Sequence, residues 1–288
     1  MIPEPLLYVY GVLPSSPASS LPLTPDELPD APLGSGLALV EHRGLTAVVE
    51  PVDAREFDES PLREHLEDLD WLASVARAHH RVVDAVGSRA TTVPMRLATV
   101  CRGEAGVRRL LDRGHDRIRA SLDRVAGKEE WGVKLYVDDD AVRSEPSEPS
   151  GLSAGTGPKG PGGSAGSAVS ARAGDSAGRD YLRRRLGDRK ARQDRSVQVA
   201  ETSERLHALL AARTTDAVRQ PPQDARLSRA PGRNVLNAAY LVPVEGRQAF
   251  LDAIPAPDGL PGGVRVDVTG PWVPYSFTQS APEPDTPR

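Results

Sequence analysis

Ala126-Gly127-Lys128-Glu129-Glu130-Trp131-Gly132-Val133-Lys134 takes the chain out of a helix, around a charged turn and into a strand led by tryptophan. Before it, Val107, Leu110, Leu111, Ile118, Leu122 and Val125 recur at helical spacing, which predicts a helix from about Glu104 to Ala126. Gly127 is the residue type that ends such a helix. After it, Trp131–Val137 reads as a strand, so the boundary between two structural units is placed at residue 127.

Working back toward the N-terminus, Leu6–Val12 is a predicted strand. Gly36–Val40 and Leu45–Val49 flank the turn-like His42-Arg43-Gly44 and read as a hairpin. A helix is predicted with Ser60 as N-cap, Pro61 at its first position and Gly87 just past its end. Its buried stripe is expected to be Leu62, Leu66, Leu69, Ala73, Ala76, Val83 and Val86. Thr91–Val100 is strand-prone but contains Pro94, which places it at a sheet edge or a bend. Pro14–Pro32 reads as a shorter polar loop.

Working forward, residues 144–178 are almost entirely Ser, Gly, Pro and Ala, too poor in apolar side chains to offset the entropy of ordering, and read as a flexible insertion. A long helix over Arg179–Thr215, a strand over Val235–Val244, a short helix over Glu245–Ala253 and a strand over Val264–Thr269 follow. With an edge strand near Ala225–Ala230 the order is β-α-β-β-α-β, the split ferredoxin-like arrangement. The expected fold is therefore α+β in two domains. Residues 1–127 form the first, and 128–277 form a ferredoxin-like second domain interrupted at 144–178; a disordered tail spans 278–288.

A formal net charge of −4 over 288 residues gives no global attraction to nucleic acid or anionic lipid. The single cysteine, Cys101, cannot form an intrachain disulfide, which suits a reducing compartment. Leu6–Leu13 is apolar, but no basic residue precedes it as in a secretory signal, and no apolar run approaches the ~18 residues needed to span a bilayer. A cytoplasmic location is expected.

Catalytic signatures are missing. His79 and His80 sit mid-helix with neither H-E-x-x-H nor C-x-x-C spacing, and read as the polar edge of an amphipathic helix. No G-x-S-x-G occurs, and Cys101 after an apolar strand reads as a small core filler. Gly155–Gly163 is glycine-rich but lacks the spacing of a phosphate-binding loop. The basic run Arg183–Arg195 is the best case for nucleic-acid binding, as a ferredoxin-like module would use it. It lacks interleaved aromatics, and Asp188 and Asp194 interrupt it, so a solvated helix face or a site for an anionic protein competes.

Three segments are unusual: PMRLATV at Pro94–Val100, GKEEWGVK at Gly127–Lys134 and GPWVPYSF at Gly270–Phe277. With EDLDWLASVARAHHRVV at Glu67–Val83 and NVLNAAYLVPVEGRQAF at Asn234–Phe250, they resemble the gas vesicle protein F/L family in order and spacing. Leu97-Ala98 stands where the family usually has Phe-Gly, and Val273 where it has Pro. The resemblance implies two α+β domains, the second a modified ferredoxin-like fold. It also implies an accessory or minor structural protein of gas vesicles. Such a protein would bind the major shell protein and other gas vesicle proteins, including F/L paralogues, during nucleation and assembly. Neither catalysis nor a cofactor or metal is implied, and neither nucleic acid nor membrane is an expected partner.

On that footing Trp131, Trp272, Tyr275 and Phe277 are candidate partner anchors, since central aromatics dominate interface energy. The competing reading has them packing the two domains together. Arg96, alone in an apolar strand, and Glu130 are expected to form a structural charge pair.

Overall fold

The computed structural model describes residues 4–15, 33–34, 36–138, 170–222 and 231–278. Elements run β1 (Leu6–Pro14), β2 (Ala38–His42), β3 (Leu45–Val52), α1 (Ala54–Phe57), α2 (Glu59–His65), α3 (Leu69–Gly87), β4 (Val93–Pro94), β5 (Val100–Arg102) and α4 (Gly103–Val125). They continue with β6 (Lys128–Val137), α5 (Ser170–Ala211), β7 (Asp216–Arg219), β8 (Arg233–Pro243), α6 (Arg247–Asp252) and β9 (Val264–Trp272). The expected loop at Pro14–Pro32, most of the expected insertion at 144–178, the expected edge strand at Ala225–Ala230 and the C-terminal tail lie largely outside the described residues.

The first antiparallel sheet has the order β2-β3-β1, with β4 and β5 both pairing the far edge of β1. Pro94 is thus tolerated on an edge, as its missing N–H requires. β1 is buried on both faces. Leu7, Val9 and Val12 join the core beneath α4, whereas Leu6, Tyr8, Tyr10 and Leu13 join the core beneath α3. The alternation slips after Tyr10 because the register to β3 shifts between Val9 and Gly11. Such a bulge moves every later side chain to the other face. Arg43 and Gly44 close the β2–β3 hairpin with φ of 51° and 75°, the left-handed pair that matches strand twist.

The helix expected from Ser60 to Gly87 is broken. Asp68 accepts the N–H groups of Asp70 and Trp71 at 2.9 and 3.2 Å, so it caps a new helix, α3, while Asp58 caps α2. A side chain that satisfies the orphan donors of a helix start competes with helix continuation. Pro61 then lies in the first turn of α2, where no backbone bond is lost. Leu66 and Leu69 fall at the break and are 42% and 78% exposed instead of buried. Val75, Ala78, Val82, Val83 and Val86 make the buried stripe.

Gly127 (φ 66°) turns the chain directly from α4 into β6, which is central in the second antiparallel sheet, order β7-β8-β6-β9. Trp131, Val133, Leu135 and Val137 meet Leu236, Ala238, Tyr240 and Val242 under Val199, Leu206 and Leu210 of α5 and Phe250 of α6. The opposite face holds Ala239 and Leu241 against Val125 and Phe277. β7, one of the two edge strands, lies upstream of the expected segment, and α5 starts at Ser170, so Ser170–Gly178 of the expected insertion is helical. Ala171, Ala173 and Ala177 favour helix there, and extending an anchored helix needs no new nucleus.

Candidate partner-binding surface

Most of the candidate residues gather at the C-terminal end of β9 and the segment that follows it, Gly270–Phe277; Arg96 does not. Gly270 (φ 133°) lies so close to β6 that a Cβ there would stand 2.9 Å from the Glu130 carbonyl and 3.1 Å from the Trp131 ring. Only glycine lets the chain cross the indole at this point. The Gly270–Pro271 peptide is cis. Beyond it Val273 leaves the second sheet and seats on Gly87, whose added Cβ would sit 2.2 Å from Val273 Cγ2. Tyr275 N–H donates to the Val273 carbonyl at 2.8 Å, a tight three-residue turn centred on Pro274 (φ −72°, ψ 71°). That turn sends Tyr275 into the core of the first sheet and Phe277 back under the second.

The segment is therefore a strap that joins the two cores. Tyr275 lies 6.3 Å, centroid to centroid, from both His79 and His80. His80 Nε2 is 3.1 Å from Asp84 and its ring 5.4 Å from that of Trp272. Burial raises the Tyr275 phenol above its ordinary range, with Asp84, Tyr8 and Glu130 adding to it. Ser276 bonds Glu130 through both its N–H and its hydroxyl.

His79 is buried instead of lying on a polar edge. Tyr8 Oη accepts the Ala98 N–H at 3.1 Å and lies 3.0 Å from His79 Nδ1. Burial holds the His79 imidazole at a pKa of about 4; the neighbouring His80 lowers it further and the Met95 backbone opposes the shift. On the same sheet face Glu50 is fully buried but fully served. It accepts from Tyr10 Oη at 2.6 Å and from the N–H groups of Leu33 and Gly34 at 2.8 Å each. Cys101 is half-buried against the first core, and burial raises its thiol despite the guanidinium groups of Arg113 and Arg109.

The four aromatics differ in exposure. Trp131 is buried, tilted on Phe250 at 6.3 Å with its Nε1 donating to Glu129 at 3.3 Å. Phe277 is buried beside Val125, and Tyr275 is half-buried. Each of these three packs against residues remote in sequence. Trp272 alone of the four is exposed, at 39%. With exposed Val244 it rims a cleft of about 610 Å³ between the ends of α3, α4 and β9, whose walls include Asp84, Arg89, Lys128 and Val273. Among the described residues no ion pair joins Glu130 to Arg96. The Glu130 carboxylate is turned to Ser276, and Arg96 is exposed on the turn between β4 and β5.

A profile of the gas vesicle synthesis protein GvpL/GvpF family matches residues 6–279. The chain belongs to the GvpL/GvpF family. It is 42% identical to gas vesicle protein L of a Streptomyces strain over 98% of this chain and 96% of that one. It is 25% identical to gas vesicle protein L1 of Halobacterium salinarum, over 94% of this chain and 89% of that one. The fold is like that of crystalline GvpF from Anabaena (TM-score 0.58, 17% identity, 96% of each chain). It is also like GvpF from Microcystis aeruginosa (TM-score 0.55, 16% identity, 95% of this chain and 99% of that one).

The strap of this GvpL/GvpF-family chain was visible in sequence as GPWVPYSF, but its seats were not. Gly87 reads in sequence only as a helix stop, and it is also the socket for Val273. Val244 gave no sequence signal, being one more apolar residue at the end of a buried strand. Among the described residues no three His, Cys, Asp or Glu side chains gather as a metal site requires, and no helix is long and apolar enough to cross a membrane.

Proposed function

We propose that the chain is a cytoplasmic, gas-vesicle-associated accessory or minor structural protein. In this reading it binds the major shell protein and other gas vesicle proteins during nucleation and assembly, and catalyses no reaction. Membership in the GvpL/GvpF family supports the setting. The observation that carries the binding surface is Trp272, a large aromatic left exposed at the mouth of a cleft while its three neighbours in the motif set are covered. A tryptophan beside an apolar rim residue fits an extended segment or sheet edge of a hydrophobic subunit. Covering such an edge keeps that subunit from premature aggregation.

The same reading divides the chain into 1–127 and 128–277, the second ferredoxin-like. The β-α-β-β-α-β order and the sheet order β7-β8-β6-β9 support this division. The strap after β9 then serves as the tie between the two units.

The test is capture of co-expressed major shell protein and F/L paralogues by the tagged chain at low and high salt. Capture that survives high salt and weakens in Trp272→Ala and Trp272→Ala/Val244→Ser supports an apolar interface at the cleft. Failure to capture any of them overturns the proposal.

A further inference from the structure

Helix α5 outruns the sheet it packs on. Its 42 residues rise about 63 Å, against about 36 Å for the 11 residues of β8. The C-terminal half is held by Val199, Leu206 and Leu210 in the core and by Arg195 donating to the Gly262 carbonyl at 2.5 Å. From Leu182 to Asp194 the described side chains are all exposed.

An apolar face runs along this outer part and into the start of the held half. Leu182, Leu186 and Val197 are 59%, 65% and 53% exposed. At the helical angle per residue they fall within about 60° of one another, roughly 130° around the helix from the face that meets the sheet. Between Arg179 and Arg195 stand eight Lys and Arg against three Asp. Of these, Arg183, Arg189 and Lys190 fall within about 70° of the centre of the stripe at the helical angle per residue, so the face is apolar at its centre with basic residues at its margins.

The same chain presents the complement at the break between α2 and α3. From Asp53 to Asp70 there are eight Asp and Glu against two Arg. Leu66 and Leu69 project from this corner, outside a stack of His65 on Trp71 with centroids 5.0 Å apart. Asp58 and Glu59 already pair with Arg102 and Arg63, at 2.6 and 3.2 Å. Glu64, Glu67 and Asp70 surround the leucines on the surface.

We propose that the outer face of α5 docks on the acidic α2–α3 corner of a second copy of this chain, Leu182 and Leu186 meeting Leu66 and Leu69. Basic margins then lie over acidic ones. The two surfaces differ, so the contact is head-to-tail. Nucleic acid is the weaker occupant, because phosphates use the charge and leave the leucines idle. This association is independent of the gas-vesicle reading and of the cleft at Trp272.

Sedimentation velocity of the full chain tests it. The unaltered chain self-associates as its concentration rises, and its apparent affinity falls at least about ten-fold between low salt and about 0.5 M salt as exposed charges are screened. Leu182→Asp/Leu186→Asp and Leu66→Ser/Leu69→Ser are each monomeric with unchanged melting temperatures. Mixed in equal amounts they form a heterodimer, since each keeps the surface that the other lacks. As a second route, Glu64→Lys/Glu67→Lys weakens self-association, and mixing it with Arg189→Glu/Lys190→Glu restores pairing. A chain that stays monomeric at every concentration, or variant mixtures that never pair, overturns the proposal. So does loss of oligonucleotide binding in Arg189→Glu/Lys190→Glu with self-association intact, which assigns the helix to nucleic acid.

Discussion

The Glu130 carboxylate grips Ser276 at two points, accepting its N–H at 2.8 Å and its hydroxyl at 2.7 Å across 146 residues of chain. Ser276 Oγ in turn accepts from Gln220 Nε2 at 3.1 Å. The strap is therefore fastened to β6 and, through Gln220, to the end of β7.

Glu130→Ala leaves the Ser276 donors without their acceptor in a buried setting and is expected to cost about 1.5–3 kcal/mol in urea unfolding. Burial raises the Glu130 carboxyl above its ordinary value, with the Ser276 bonds opposing. A folded value above the unfolded one makes the contribution greatest below the unfolded pKa and loses it as pH rises through the folded value. The stability advantage over Glu130→Gln should accordingly shrink from acid toward neutral pH. An advantage that grows instead contradicts the assigned direction.

His79 works in the opposite sense. Its pKa is lowered from 6.5 to about 4 by burial. Its contribution is present above pH 6.5 and is lost as pH falls from 6.5 through about 4, amounting to about 3 kcal/mol in full. Melting temperatures between pH 7 and pH 4.5 should drop for the unaltered chain and drop less for His79→Gln. Equal slopes dissociate His79 from the acid transition.

Gly87→Ala improves helix propensity by up to about 1 kcal/mol but drives a methyl into Val273. Overpacking at such a fixed contact costs about 1–3 kcal/mol, so net destabilisation is expected. Val273→Ala in the same chain should recover part of the loss, a non-additive pair in a double-mutant cycle. Additive effects remove the socket.

Phe277→Ala should cost about 3–5 kcal/mol as a buried aromatic, while Trp272→Ala at the cleft mouth changes stability by less than about 1 kcal/mol. Thermal unfolding of both variants checks this, with shell-protein capture measured alongside for Trp272→Ala. A large stability loss for Trp272→Ala would return that residue to the packing role of its neighbours.

Much of the fold was legible because its cues are local. β1, the hairpin at Arg43-Gly44, α4 with its Gly127 stop, and β6 all follow from period and turn chemistry. The miss at α2–α3 has a local cause too: Asp68 is as good a cap as Ser60, and the helical spacing of Leu62, Leu66 and Leu69 masked it. GPWVPYSF stood out by composition, yet Trp131, Tyr275 and Phe277 could not be told from Trp272 in sequence, since all four are large aromatics near turns.

The sequence by itself determined the period of each main element, the family, and the glycines and prolines that shape the strap, because these depend on residues within a few positions of one another. Only the tertiary structure decided which aromatics are covered, that Glu130 faces Ser276, that His79 is buried against Tyr8, and that α5 keeps a second apolar face uncovered. Burial and pairing are set by what distant segments bring to the same place, and no local pattern carries that information.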